Sequence, residues 1–313
     1  MNLKISIMIV MGLGLGMTLS QGDKPMDTFV CRGAGRWYPA DAKGLNAMIQ
    51  QFYQQAETIS PSTDHRKPIA AIAPHAGYVY SGLGNAMAYR ELKHHTYQTV
   101  FVLGLSHYTG LHGAAILQAV EYQTPLGKIQ IDQDIARQLT QHPLFRFDNS
   151  VYAQEHSLDN QIPFIQAALE RKFKLVPVMI GRVSLAEAEQ MATELKKLAG
   201  ESVFWAISSD FTHYGEAFGY SPFPVDRNVR ANLEKVDQGA IDAILKMDSP
   251  GFENYLDRTG ATICGANPIK VLLYLMKSLN ANGERVYYYC SGDLEKDYQT
   301  SVSYASILFR SKP

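Results

Sequence analysis

Side chains able to bind a metal or move a proton recur in this chain where apolar runs stop. His75 follows Ile69-Ala-Ala-Ile-Ala-Pro74 and precedes Ala76-Gly77. His107 follows Thr99-Val-Phe-Val-Leu-Gly-Leu105 and Ser106. Val203-Phe-Trp-Ala-Ile207 runs into Ser208-Ser-Asp-Phe-Thr-His213, which brings in Asp210 and His213. Cys264-Gly-Ala-Asn-Pro268 opens one apolar stretch and Glu155-His156 precedes another. Two neutral imidazoles from successive loops can hold a divalent metal. A third donor closes a set that leaves positions open for substrate. Asp210 in that place makes two histidines and a carboxylate, suited to Fe(II). Cys264 makes two histidines and a thiolate, suited to zinc, copper or iron. Cys264 also stands at a predicted helix start, where the dipole lowers a thiol pKa. His213, three residues past Asp210, is placed to act as general acid or base.

Each residue alone has a plainer use. Asp210 after two serines reads as a helix N-cap, Cys264 as a small buried apolar group, and Glu155 as a favourable charge at a helix start. The repetition is what points to a site, because ligands in open α/β sheets collect at the carboxyl ends of strands. Competing chemistries lack their motifs: there is no GxSxG elbow, no GxxxxGK[ST] loop and no HExxH. Cys264 with a histidine also fits a nucleophile and base, which sequence does not separate from metal ligation.

The elements that must position these residues alternate between strands and helices. The apolar runs at 69–73, 99–105, 174–180 and 203–207 read as strands buried on both faces. Strands are also expected at 114–117, in a hairpin over 122–131, and at 286–290 and 302–309. Helices are expected over 42–56, from after Gly82 to 92, over 132–140, from 158 to 169 with Glu155 and His156 at its start, over 185–198, and from 264 to 279. Residues 27–40 read as irregular and 60–68 as a polar linker. The result is an α/β fold with a central mixed, largely parallel sheet covered by helices on both faces.

The 313 residues, 46% of them hydrophobic, suffice for one large α/β domain or two small ones. The net charge of -1 and pI near 6.8 give no nucleic-acid footprint and no basic membrane surface. Lys4, the apolar run Ile5–Leu19 and the polar Gln21-Gly-Asp-Lys24 read as a signal peptide over 1–20, with cleavage after Ser20. The run of about fifteen residues is short beside the ~20 of a spanning helix. Export to the periplasm follows if the signal is used. An uncleaved anchor, or a cytoplasmic product started near Met26, are the other readings. The domain proper is expected over 27–311. Three cysteines, Cys31, Cys264 and Cys290, exclude a disulfide scaffold but allow one pair, with Cys31 to Cys290 left open.

Six motifs in order give the chain a resemblance. Ala73-Pro-His-Ala-Gly-Tyr-Val-Tyr-Ser-Gly82, Gly104-Leu-Ser-His107, Glu155-His-Ser-Leu158, Ser208-Ser-Asp-Phe-Thr-His213, Cys264-Gly with Asn267-Pro-Ile269, and Ser301-Val-Ser-Tyr-Ala305 resemble the Memo family, known in prokaryotes as AmmeMemoRadiSam system protein B. The likeness runs from about Val30 to Leu308. It implies a fold similar to the B subunit of class III extradiol dioxygenases. It also implies a metal site of His75, His107 and Cys264, with Asp210 and His213 beside it as catalytic groups. Glu155, His156, Ser106 and Tyr78 are expected to flank the ligands. Cysteine stands where the dioxygenases carry a carboxylate, which speaks against ring cleavage. Iron or copper redox chemistry is the implied activity, with zinc as the other metal. A functional link to a radical SAM protein and an AMMECR1-like domain is implied by the resemblance alone. The function expected is a metal-dependent, dioxygenase-like oxidoreductase. The other readings are a module that binds a peptide or small molecule in the same pocket, and a zinc hydrolase.

Overall fold

The computed structural model describes residues 24–60, 64, 66–170 and 173–312. The expected signal peptide, residues 1–20, lies outside them. In chain order the elements begin with β1 (Met26–Val30), α1 (Ala42–Ile59), β2 (Pro68–Ala73), α2 (Tyr78–Tyr89), β3 (Thr99–Leu105), β4 (Ala114–Ile116) and β5 (Ala119–Thr124). Next come β6 (Gly127–Gln130), α3 (Gln133–Leu139), β7 (Phe145–Phe147), α4 (Ile162–Leu169), β8 (Lys174–Ile180), α5 (Leu185–Lys196), β9 (Val203–Ser208) and β10 (His213–Tyr214). The chain closes with α6 (Val229–Leu245), α7 (Ser249–Thr259), α8 (Ala266–Ser278), β11 (Ala281–Cys290), α9 (Ser291–Glu295) and β12 (Ser301–Ser311).

The main sheet has nine strands among the described residues. Its order is β10-β12-β2-β9-β3-β8-β4-β7, with β11 also paired to β12. Its centre, β2-β9-β3-β8, is parallel, and the pairings of β12 with β2 and of β4 with β8 are antiparallel. The central strands are apolar throughout because both faces are covered. Ala71, Ala73, Val100, Val102, Phe204 and Ala206 pack with α1, α2 and α4. Ala70, Ile72, Phe101, Leu103, Trp205 and Ile207 pack with α5 to α8 on the opposite side. Successive side chains of one strand therefore serve two cores. This is the mixed sheet with helices on both faces that the alternation predicts.

Several local expectations change. Residues 27–30, read as irregular, belong to β1, which runs parallel to β5 in a separate three-stranded sheet of order β1-β5-β6. A strand of five residues with one buried side chain carries no alternation to read. The helix expected after Gly82 begins at Tyr78, because the glycine at 82 fits under Phe52 inside the helix instead of breaking it. α4 begins at Ile162, so Glu155 and His156 are not at its start. Turns over 157–161 lead into it, with Asn160 N–H donating to the His156 carbonyl at 3.1 Å. Asp132 does cap α3 as expected, accepting from Ile135 N–H at 3.2 Å. Cys31, Cys264 and Cys290 are all free thiols. Among the described residues no helix is long and apolar enough to cross a membrane.

Candidate metal centre

Three adjacent parallel strands end side by side, and each is followed, two positions past its end, by one of the candidate residues. β2 ends at Ala73 and gives His75, β9 ends at Ser208 and gives Asp210, and β3 ends at Leu105 and gives His107. The register Ala73↔Ser208 brings the β2 and β9 ends level. Asp210 Oδ1 accepts from the backbone N–H of His75 at 2.7 Å and of Ala76 at 3.3 Å, which fixes the turn carrying His75. Cys264 comes to the same place from the segment before α8. Its Sγ lies 3.3 Å from His75 Nε2 and accepts from Asp210 N–H at 3.2 Å. Gly265 permits that approach: a Cβ there would sit 2.4 Å from Ser209 Cβ.

The two imidazoles expected as ligands have one nitrogen already committed. His107 Nδ1 donates to Glu155 Oε1 at 2.8 Å, and His107 N–H donates to Glu155 Oε2 at 2.6 Å. Glu155 also accepts from the N–H of His156 and Ser157 at 2.8 and 2.9 Å. Burial alone would raise the Glu155 carboxyl, but the His107 and backbone hydrogen bonds outweigh it and hold it at about 2. A carboxylate behind a histidine in this way fixes the ring and leaves Nε2 free for a metal. His75 is buried, and burial, opposed by the Asp210 charge and aided by those of His107 and His213, pushes it down to about 4. It is neutral at pH 7, as a ligand must be.

His156 is the residue whose place the sequence left vaguest. Its ring stacks on His107, centroids 4.8 Å apart and planes at 13°, and on Trp37 at 4.1 Å and 8°. One nitrogen from each of His75, His107 and His156 falls within 4.8 Å of the others. His156 Nδ1 is buried and makes no hydrogen bond among the described residues, with Glu155 Oε1 3.5 Å away. A cluster of imidazoles with a thiol alongside is a donor set that suits zinc, copper or iron. Geometry separates the donors further. Imidazole lone pairs lie in the ring plane, so face-to-face rings such as His107 and His156 cannot both aim at one ion. His75 meets His107 at 79°, where both can.

The remaining expected residues are held by bonds of their own. His213 Nδ1 lies 2.9 Å from the Phe211 carbonyl and 3.1 Å from that of Thr262, so Nδ1 carries the proton and Nε2 is the open nitrogen. Ser106 Oγ accepts from Thr109 N–H at 3.1 Å and so shapes the loop after β3 that carries His107. Tyr78 is buried and donates to the Asn160 carbonyl at 3.0 Å. It supports the site indirectly, since Asn160 Nδ2 donates to the carbonyls of His75 and Ala76. The Cys264 thiol is not lowered as expected: burial, with the Asp210 charge, pushes it up. Asp159, which the sequence did not single out, is fully enclosed. It accepts from Tyr122 Oη and from the N–H of Arg32 and Gly33, and so ties down the segment that carries Trp37. Beside Trp37 opens a cavity of about 720 Å³ walled by Tyr38, Met48, Tyr78, Tyr80 and Tyr304.

Known proteins are similar to this chain in sequence over most of its length. Protein MEMO1 of Danio rerio is 34% identical over 291 residues, covering 88% of this chain and 96% of that protein. Protein MEMO1 of Homo sapiens is 33% identical over the same shares. The Caenorhabditis elegans protein memo-1 homolog is 31% identical, covering 88% of this chain and 81% of its own. In three dimensions the chain is similar to the uncharacterized protein JW3007 of Escherichia coli K12. The TM-score is 0.51 at 17% identity, over 77% of this chain and 99% of that one, a likeness of fold. The profile of Memo-like proteins matches residues 30–308, and the chain belongs to that family.

Proposed function

We propose that this protein is a metal-dependent oxidoreductase that holds iron or copper through His75, His107 and Cys264. The observation that supports the reading is the close approach of two of these donors, His75 and Cys264. His75 Nε2 and Cys264 Sγ are 3.3 Å apart. Two donors at ~2.1 and ~2.3 Å from one tetrahedral ion lie ~3.6 Å apart, a few tenths of an ångström beyond that separation. His107 meets His75 nearly edge to face, with its Nδ1 already tied to Glu155. When bound, the metal supplies one-electron chemistry and open positions for substrate. The chain's own residues do the rest. Asp210 orients the His75 loop, Glu155 fixes the His107 ring, and His213 offers Nε2 as the proton acceptor.

The aromatic cavity beside Trp37 favours a second reading, a module that binds a peptide or small molecule without turnover. A donor set rich in imidazole also serves a zinc hydrolase. Elemental analysis of purified full-length protein separates the three. The expected result is close to one iron or copper per chain, lost in His75→Ala with the fold intact. Zinc at that stoichiometry would point to the hydrolase. A folded protein that takes up no metal would overturn the proposal in favour of the binding module. Export through residues 1–20 is proposed alongside, and the mass of the mature protein tests it.

A further inference from the structure

We propose that Ser208, the last residue of β9, is a positioning residue that decides which nitrogen of His75 faces the site. The Ser208 hydroxyl is buried and has three partners. It donates to the Ser157 carbonyl at 2.5 Å, which can only accept. It accepts from Gln161 Nε2 at 3.1 Å, which can only donate. That amide is itself fixed, since Nε2 donates to the Pro74 carbonyl at 2.7 Å and Oε1 accepts from Tyr89 Oη at 2.6 Å. The single hydroxyl proton is therefore spent, and one lone pair remains for His75 Nδ1 at 2.8 Å. His75 must donate there. Its proton sits on Nδ1, and Nε2 is left as a bare lone pair facing Cys264 Sγ. Without Ser208 the Nδ1 proton loses its acceptor, while Cys264 Sγ remains 3.3 Å from Nε2 to accept in the other tautomer. Glu155 does for His107 what Ser208 does for His75, but with a carboxylate. The neutral serine presets its ring with no buried charge added.

The tautomer itself does not depend on a metal, while its consequence for binding rests on the function proposed above. The two are read separately in full-length protein labelled with ¹⁵N at histidine and freed of metal. Two-bond proton–nitrogen spectra at pH 7, with the His75 signals assigned by their loss in His75→Gln, report each ring nitrogen. The expected wild-type pattern is a protonated Nδ1 and a bare Nε2. In Ser208→Ala the His75 pattern should move toward protonated Nε2, while the His107 pattern stays, showing that the fold is kept. Ser208→Thr should restore the wild-type pattern. Zn²⁺ titration should show a loss of affinity of about 10-fold or more in Ser208→Ala, regained in Ser208→Thr. A protonated Nε2 in the wild type overturns the inference even if no variant folds, and so does an unchanged His75 pattern in Ser208→Ala. The expected tautomers in a protein that takes up no metal would sink the metal reading and leave Ser208 standing.

Discussion

The indole of Trp37 lies face to face with the imidazole of His156, with 4.1 Å between centroids and 8° between planes. His107 continues the stack on the far side of His156. The stack therefore runs from the wall of the cavity to a proposed ligand. Its front end is held by two backbone ties. Tyr78 N–H donates to the Trp37 carbonyl at 2.9 Å, and the Asp159 carboxylate grips Gly33 N–H at 2.8 Å. A molecule in the cavity that presses on Trp37 presses on the side of the site.

This arrangement makes Trp37 a reporter. The chain has two tryptophans. Trp205 is enclosed in the sheet against Phe101 at 4.0 Å. Addition of Cu²⁺ to metal-free protein should quench the emission of Trp37 and leave that of Trp205. Intrinsic fluorescence of Trp37→Phe checks it: the remaining emission should no longer respond to copper. A response that survives in Trp37→Phe would place the copper elsewhere.

Donor identity is tested by paired substitutions. Cys264→Ser should weaken metal binding by more than about 100-fold, as should loss of either His75 or His107, whereas His156→Gln should cost about 10-fold or less. The reason is the stacking: the His156 lone pairs run alongside those of His107, not toward a common point. Calorimetric titration with the same metal ranks the variants. The reverse order for Cys264→Ser and His156→Gln would make the centre a three-histidine one.

Much of this site was readable because three apolar runs stop at comparable places. Strands β3 and β8 match their apolar runs end to end, since continuous burial leaves no ambiguity in where the run begins. His75, His107 and Asp210 followed from the rule that sites gather at strand ends. What escaped was set by contacts between distant segments. Nothing local tells that Trp37 will cover His156 or that Asp159 will reach back to Gly33, 126 residues away. The Cys264 thiol departs from the reading at a helix start because it is set by burial and by the charge of Asp210, just past β9, which a linear reading does not place beside it.

Asp210 should matter for stability as well as for the site. Asp210→Ala removes the acceptor for the backbone N–H of His75 and Ala76, and a buried donor left without a partner costs about 1–3 kcal/mol. Asp210→Asn keeps an oxygen in place and should lose less than half of that. Urea unfolding at pH 7, with the slope unchanged, gives both values. Equal losses for Ala and Asn would mean that the charge, not the hydrogen bonds, holds the turn.

Acid should destabilise the metal-free protein in a window set by its buried histidines. His75 and His156 are pushed down to about 4, chiefly by burial, against about 6.5 in an unfolded chain. The folded state thus binds fewer protons between these values, so their contribution is full above pH 6.5 and is lost as pH falls toward 4. Each site is worth roughly 3 kcal/mol across the window. Asp159 works in the opposite sense. Burial, offset by the hydrogen bonds from Tyr122, Arg32 and Gly33, raises its carboxyl to about 6. Its folded form takes up a proton before the unfolded form does, so it favours folding below about pH 4 and that benefit is gone above 6. In the wild type it masks part of the histidine effect. Asp159→Asn removes the mask, and its stability should fall more steeply than that of the wild type between pH 6.5 and 4. Urea midpoints for both proteins at half-unit steps of pH measure the two slopes. A shallower slope in Asp159→Asn would show that the buried carboxylate is ionised throughout and that its hydrogen bonds, not its burial, set its charge.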